Sequence, residues 1–308
     1  MIRLPVLAIL AGTFVHAQSC AELRPHLDEI AKVLESRDIP QAERLIEPLR
    51  GQPSTCPQIT IAEGRIALAK GEYTLAESYS EQALMNAPED PDALLFRGQI
   101  LSMKGQVPAA RALLDKACTL DPENARAHFQ LGMLLDRIKR SADAVQQFEK
   151  AVKLKPDDPR GYDYLALNLE RVGETAKAET AYHQGLRVNK GPLFDGFLDY
   201  NYGRLLLKLN RGEESKAHLD RALQLAPQVR AVHYDHAKMN LRLGKLPEAR
   251  QDAEQALKLA DPSGFILDLQ LYNLLSGICR RLGDGEAARR YIDLARTATV
   301  PTRSRERD

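Results

Sequence analysis

Residues 127–156 read AHFQLGMLLDRIKRSADAVQQFEKAVKLKP, and this stretch decides how the chain folds. Two helix-length runs lie in it. The first carries Gly132 where a partner helix must come close. The second places Ala144 and Ala151 seven residues apart, hence on one helical face, and Pro156 stops it. The pattern does not stand alone. Gly64, Gly98 and Gly132 are 34 residues apart, and Ala166 keeps the register. Ala76, Ala110, Ala144 and Ala178 form a second series, and Ala83, Ala117, Ala151 and Gly185 a third. A strict period of this length marks stacked copies of one supersecondary unit.

From Pro57 the units run 57–90, 91–124, 125–158 and 159–192 without a gap. Three extra residues precede 196–229; 230–263 follows, and a five-residue insertion precedes 269–302. A worn helical pair occupies 18–56, with Ala42 and Leu49 at the expected places. In each unit the eighth position is small (Gly64, Gly98, Gly132, Ala166, Gly203, Ala237, Ser276), because a larger side chain there would push the neighbouring helix outward. Glycines at 71, 105, 173, 244 and 283 end the first helix, where a left-handed residue lets the chain reverse. Pro88, Pro122, Pro156 and Pro227 close the second.

These positions resemble the tetratricopeptide repeat family over nearly all of the chain after its first residues. Gly64, Ala76, Ala83 and Pro88 match the family's small-residue and proline positions, as do Gly98, Ala110, Ala117 and Pro122. The resemblance implies an all-α, right-handed superhelical solenoid of antiparallel helix pairs, and a scaffold or peptide-binding role. It also implies that first helices line a concave face through positions two, five, six, nine and thirteen. Those positions hold the aromatics Phe96, Phe129, Tyr164, Phe197, Tyr200 and Tyr234, with Arg204 and Lys238. Position thirteen is basic in five successive units: Arg137, Arg171, Lys208, Arg242 and Arg281. Asp163, Asn201, Asp235 and Asn273 lie between them. Such a trough suits an extended protein segment with acidic residues or a free carboxylate. Position thirteen also falls in the last helical turn, where the helix dipole alone favours cations. The chain departs from the family at position seven, normally Leu, which here is Glu63, Arg97, Tyr202 and His236, and at Asn240.

The first seventeen residues are of another kind. Arg3 precedes an apolar run over 4–15, and Val15-His16-Ala17 resembles a small-x-small cleavage signature, which predicts a signal peptide cut after Ala17. The run is too short to span a bilayer as a permanent segment. An exported protein meets oxidising conditions, so Cys20 and Cys56, at the two ends of the first helical pair, are expected to form a disulfide. Acylation of Cys20 as a lipoprotein is the alternative. The expected location is the periplasm or envelope, or outside the cell.

Lys and Arg total 43 against 42 Asp and Glu, so charge gives no bulk drive toward nucleic acid or acidic lipid. The arginines of the polar tail at 303–308 are diluted by Glu306 and Asp308. No phosphate-binding glycine loop, catalytic zinc spacing or nucleophile–base pair appears, so neither catalysis nor a cofactor is expected. His233 and His236, three apart, come nearest to a metal site but occupy packing positions. The expected function is therefore a non-enzymatic scaffold holding a partner segment. The competing reading is an accessory subunit of an enzyme or of a secretion or pilus-type assembly, binding through its convex face or ends.

Overall fold

A computed structural model describes residues 20–50, 56–189, 196–261, 264 and 266–298. The signal segment over 1–17, the three-residue insertion before Gly196, part of the insertion before Leu269 and the tail at 303–308 lie outside the described residues. Among the described residues there are sixteen α-helices and no strands. They fall into two compact units, residues up to Leu134 and residues from Leu135 onward.

The first unit contains α1 (Cys20–Glu35), α2 (Ile39–Ile46), α3 (Pro57–Lys70), α4 (Tyr73–Asn86), α5 (Pro91–Met103) and α6 (Val107–Leu120). Helix α7 (Ala125–Arg137) carries the chain across the boundary. The second unit continues with α8 (Ser141–Leu154), α9 (Pro159–Arg171), α10 (Thr175–Val188), α11 (Phe197–Lys208) and α12 (Gly212–Leu225). It ends with α13 (Arg230–Arg242), α14 (Leu246–Lys258), α15 (Asp268–Arg281) and α16 (Gly285–Thr297). Within each unit, consecutive helices pack as pairs and each pair packs on the next.

Local chemistry sets the helix ends. Pro57, Pro91 and Pro159 open first helices, where the missing N–H costs nothing. Asp90 and Asp158 cap two of these helices, accepting from the backbone N–H of Ala93 at 2.9 Å and of Arg160 at 3.0 Å. At the turn between paired helices the backbone is left-handed at Gly71, Gly105, Gly173, Gly244 and Gly283. Lys139 (φ 64°) and Asn210 (φ 63°) adopt the same conformation in the two units that lack the glycine. The packing of the pair therefore dictates the turn, and the residue complies.

The small-residue positions are contact points. A Cβ built on Gly98 would lie 2.8 Å from Leu114 Cγ, and one on Gly203 would lie 2.9 Å from Leu219 Cγ. The two leucines are equivalent in the repeat, and both are fully buried. Ala76, Ala83, Ala110, Ala117, Ala144 and Ala178 are also fully buried. The worn N-terminal pair joins this scheme: Leu23, Ile30, Ala42, Ile46 and Leu49 form one cluster with Cys56, Ile59, Ala62 and Ile66.

Candidate functional site

In the second unit, α11 lies between α9 and α13, and its exposed side carries Tyr200, Arg204 and Lys208 at one-turn spacing. Tyr200 donates its hydroxyl proton to Asp235 Oδ2 of α13 at 2.8 Å, and burial together with that carboxylate raises the phenol's pKa. Lys238 reaches the other Asp235 oxygen at 3.0 Å and lies 5.0 Å from the centre of the Tyr234 ring. Asn201 donates to both carboxylate oxygens of Asp163 of α9, at 2.9 and 3.1 Å. Burial pushes the Asp163 carboxyl up to about 7, against the pull of Asn201 and Arg204.

Arg204 is the group in this row whose donors are least satisfied. One of its terminal nitrogens stands 3.7 Å from Glu170 Oε1. That oxygen already accepts from Tyr182 at 2.6 Å, and its partner oxygen accepts from Lys208 at 3.0 Å. Arg204 Nε is buried and has no hydrogen-bond partner among the described residues. A buried donor without a partner costs about 1–3 kcal/mol.

The basic ladder at position thirteen has a different occupation. Arg171 pairs with Asp136 and Lys208 with Glu170; Arg242 donates to the backbone carbonyl of Leu207, and Arg281 to that of Leu241 at 3.2 Å. All four partners stand at position twelve of the preceding repeat. Where that position is acidic the cation takes the carboxylate, and where it is Leu the cation takes the carbonyl at the end of the neighbouring helix. These four residues are therefore ties between successive first helices, although each keeps an exposed flank. Arg137 is exposed.

The aromatic positions divide. Tyr200, Tyr234, Phe129 and Tyr164 are half-buried, and Tyr164 stacks on Phe148 with ring centres 5.6 Å apart. Phe96 corrects the expectation from sequence: it has no exposed surface and fills the space left by Gly64, so it belongs to the core. A phenylalanine at a lining position turns inward when the preceding unit offers a glycine-sized hollow, and nothing in its own unit signals this.

The first unit contains a site that the sequence pattern did not single out. A cavity of about 340 Å³ opens between α1, α3 and α5, walled by Leu27, Leu34, Ile61 and Ala62 with Arg65 and Asp92. Arg65 occupies position nine, as Arg204 does. Its terminal nitrogen is 3.6 Å from Asp92 Oδ1, and its buried Nε likewise has no hydrogen-bond partner among the described residues. Burial pushes its pKa down, against the pull of Asp92. The only signal in the sequence was the recurrence of arginine at position nine in two distant units.

The family model described as tetratricopeptide repeat matches residues 61–125, 104–159 and 200–265, together more than half of the chain. The chain is a tetratricopeptide repeat protein. Solved structures of similar fold include a chain of the APC/C hetero-tetramer Cut9-Hcn1 (TM-score 0.71, 16% identity, over 82% of this chain). This chain covers 48% of that one, about half its length. A tetratricopeptide repeat protein from Parabacteroides merdae aligns at a TM-score of 0.56 and 16% identity, over 80% of this chain and 94% of its own. PilW, described as a widely conserved type IV pilus biogenesis factor, aligns at 0.55 and 20%, over 65% and 90%. At these identities the likeness shows the fold alone. No curated protein matches the chain.

Three of the four departures from the tetratricopeptide pattern at position seven share one geometry. Arg97 bonds Glu81 at 2.8 Å, Tyr202 contacts His183 Nε2 at 3.0 Å, and His236 Nε2 contacts Asp220 at 2.9 Å. In each case the partner sits on the second helix of the preceding repeat. Glu63, the fourth departure, is 3.5 Å from Arg50, and burial raises its pKa against that arginine. Polar residues at this position thus replace an apolar contact with a directed one. His236 and His233 do not gather ligands for a metal, and no group of three or more His, Cys, Asp or Glu among the described residues is arranged to hold one. No helix among the described residues is long and apolar enough to cross a membrane. Cys20 and Cys56 are brought together with Cα atoms 5.0 Å apart, within disulfide range.

Proposed function

We propose that this tetratricopeptide repeat protein is a non-enzymatic scaffold that holds an extended, carboxylate-bearing segment of a partner protein along its first helices. The observation that carries the reading is a position-nine arginine in each unit, Arg65 and Arg204, whose terminal nitrogen stands 3.6 Å from Asp92 and 3.7 Å from Glu170 respectively and whose Nε–H no described residue accepts. A guanidinium fork left partly unfilled is matched by a carboxylate supplied from outside. Half-buried rings, Tyr200 near Arg204 and Tyr234 beside Lys238, supply apolar surface for the chain between acidic residues. The four position-thirteen ties contribute their exposed flanks, and the fold itself is that of a binding scaffold.

The same reading places the protein outside the cytoplasm, in the periplasm or envelope, with the segment over 1–17 removed. The closeness of Cys20 to Cys56 supports a disulfide that staples the first helical pair. Acylation of Cys20 would use the same sulfur and exclude that bond.

The test is fluorescence polarisation with an array of extended twelve-residue peptides in which Asp and Glu are present or replaced by Asn and Gln. Acidic peptides are expected to bind, and Arg204→Gln or Arg65→Gln to weaken them about tenfold or more, the scale of one charge-assisted hydrogen bond. Equal binding by the neutral peptides, or by both variants, would refute the reading. Intact mass of the exported protein decides cleavage, acylation and the loss of two hydrogens to a disulfide.

A further inference from the structure

Helix α13 departs twice from the repeat pattern on one face, at His236 and Asn240, and both side chains meet the same carboxylate. His236 Nδ1 is 2.7 Å from Asp252 Oδ2 of α14, and Asn240 donates to that oxygen at 2.8 Å. His236 Nε2 is 2.9 Å from Asp220 Oδ1 of α12. One imidazole therefore spans the second helices of two successive repeats. It is nearly buried, as is Asp252, and Asp220 stands at the edge of a cavity of about 290 Å³.

A neutral imidazole has one N–H and one lone pair. With a carboxylate at each ring nitrogen, the neutral form can satisfy only one of them and turns its lone pair on the other. The imidazolium donates to both. We propose that protonated His236 is a clamp between successive repeats, and that loss of its proton to solvent as pH rises loosens α12 from the α13–α14 pair.

The surrounding charges agree with this assignment. From α12, Lys216 pairs with Asp220. On α13, His233 Nδ1 lies 3.9 Å from Asp252 Oδ1. Lys245, at the cap of α14, and Glu248 of α14 border the cavity with opposite charges. Burial alone would lower the His236 pKa; the bonds to Asp252 and Asp220 more than reverse this and raise it above the usual imidazole value. Burial pushes Asp252 up, yet the bonds from His236 and Asn240, with the His233 ring nearby, hold it down at about 2. A raised histidine contributes stability that is complete below its unfolded value, about 6.5, and is lost as pH rises through its folded value. The clamp is thus closed below about pH 6.5 and opens as pH rises through the raised folded value. The clamp needs no ligand in the groove.

The test uses the full chain labelled with ¹⁵N, the His236 ring resonances being assigned by their absence in His236→Gln. Both ring nitrogens are expected to be protonated at pH 6.5. Hydrogen-exchange protection of the α12 and α14 amides, corrected for intrinsic exchange, should fall by up to about tenfold per pH unit across the His236 titration. Asp220→Asn, which keeps the shape and removes one charge, should move that titration to lower pH. A His236 ring carrying one proton at pH 6.5, or an unshifted titration in Asp220→Asn, overturns the proposal. So does the same pH slope of protection in His236→Gln.

Discussion

Replacing Gly64 by alanine sets two opposed effects against each other. In a helix interior, alanine gains about 0.5–1 kcal/mol over glycine because it has less backbone freedom to lose. Against this, the new Cβ would lie 2.4 and 2.6 Å from two ring carbons of Phe96 and 2.9 Å from Tyr79 Cβ. The Phe96 ring has no exposed surface into which it could swing, and a Cβ on a packed helix cannot move alone. Forcing one extra carbon into such a site costs about 1–3 kcal/mol. Gly64→Ala is therefore expected to destabilise by about 1–2 kcal/mol. Gly277→Ala is the matched control: it also sits inside a helix, α15, but its Cβ would meet nothing within 4 Å. It should stabilise by about 0.5–1 kcal/mol. Urea unfolding followed by far-ultraviolet circular dichroism gives both values. Adding Phe96→Leu to Gly64→Ala should recover part of the loss, with a coupling of about 0.5–3 kcal/mol for residues in contact. If Gly64→Ala stabilised the protein as Gly277→Ala does, the close approach of α3 to Phe96 would be disproved, and the assignment of Phe96 to the core with it.

Two further outcomes are expected. Lys139→Gly should stabilise by about 0.5–1 kcal/mol, because Lys139 holds a left-handed backbone that a Cβ disfavours; an unchanged urea midpoint would show that the turn is not strained. Asp163, pushed by burial to about 7, keeps its proton in the folded state between about pH 4 and 7, where the unfolded chain has lost it. Stability should therefore fall as pH rises through that window, with a slope approaching about 1.4 kcal/mol per pH unit, and Asp163→Asn should flatten it. Urea melts between pH 4.5 and 7.5 read the difference, and an equal slope in the variant would refute it.

The period of 34 made the fold legible, because stacking one helix pair on the next requires a small residue at the same place in every copy. Gly98 and Gly203, far apart in the chain, each meet the equivalent leucine, Leu114 and Leu219. Repetition also made the basic ladder visible, but not its role. Arg171 and Lys208 looked available for a ligand, and the structure spends them on Asp136 and Glu170. Each pairing crosses to the preceding repeat, so whether a cation is free depends on a residue one unit away. Position nine shows the reverse: Arg204 resembled its basic neighbours, and only burial of its Nε distinguished it.

By itself, then, the sequence determined the helix pairs, their order and the spacing at which they touch, since these follow from local periodicity and from the size of single side chains. Tertiary structure decided which polar groups are already satisfied. It put Phe96 beneath Gly64, set His236 between two carboxylates and left Arg65 and Arg204 short of partners. The physical reason is that a hydrogen bond needs a partner within about 3 Å in a fixed direction, and that distance is set only once successive repeats have stacked.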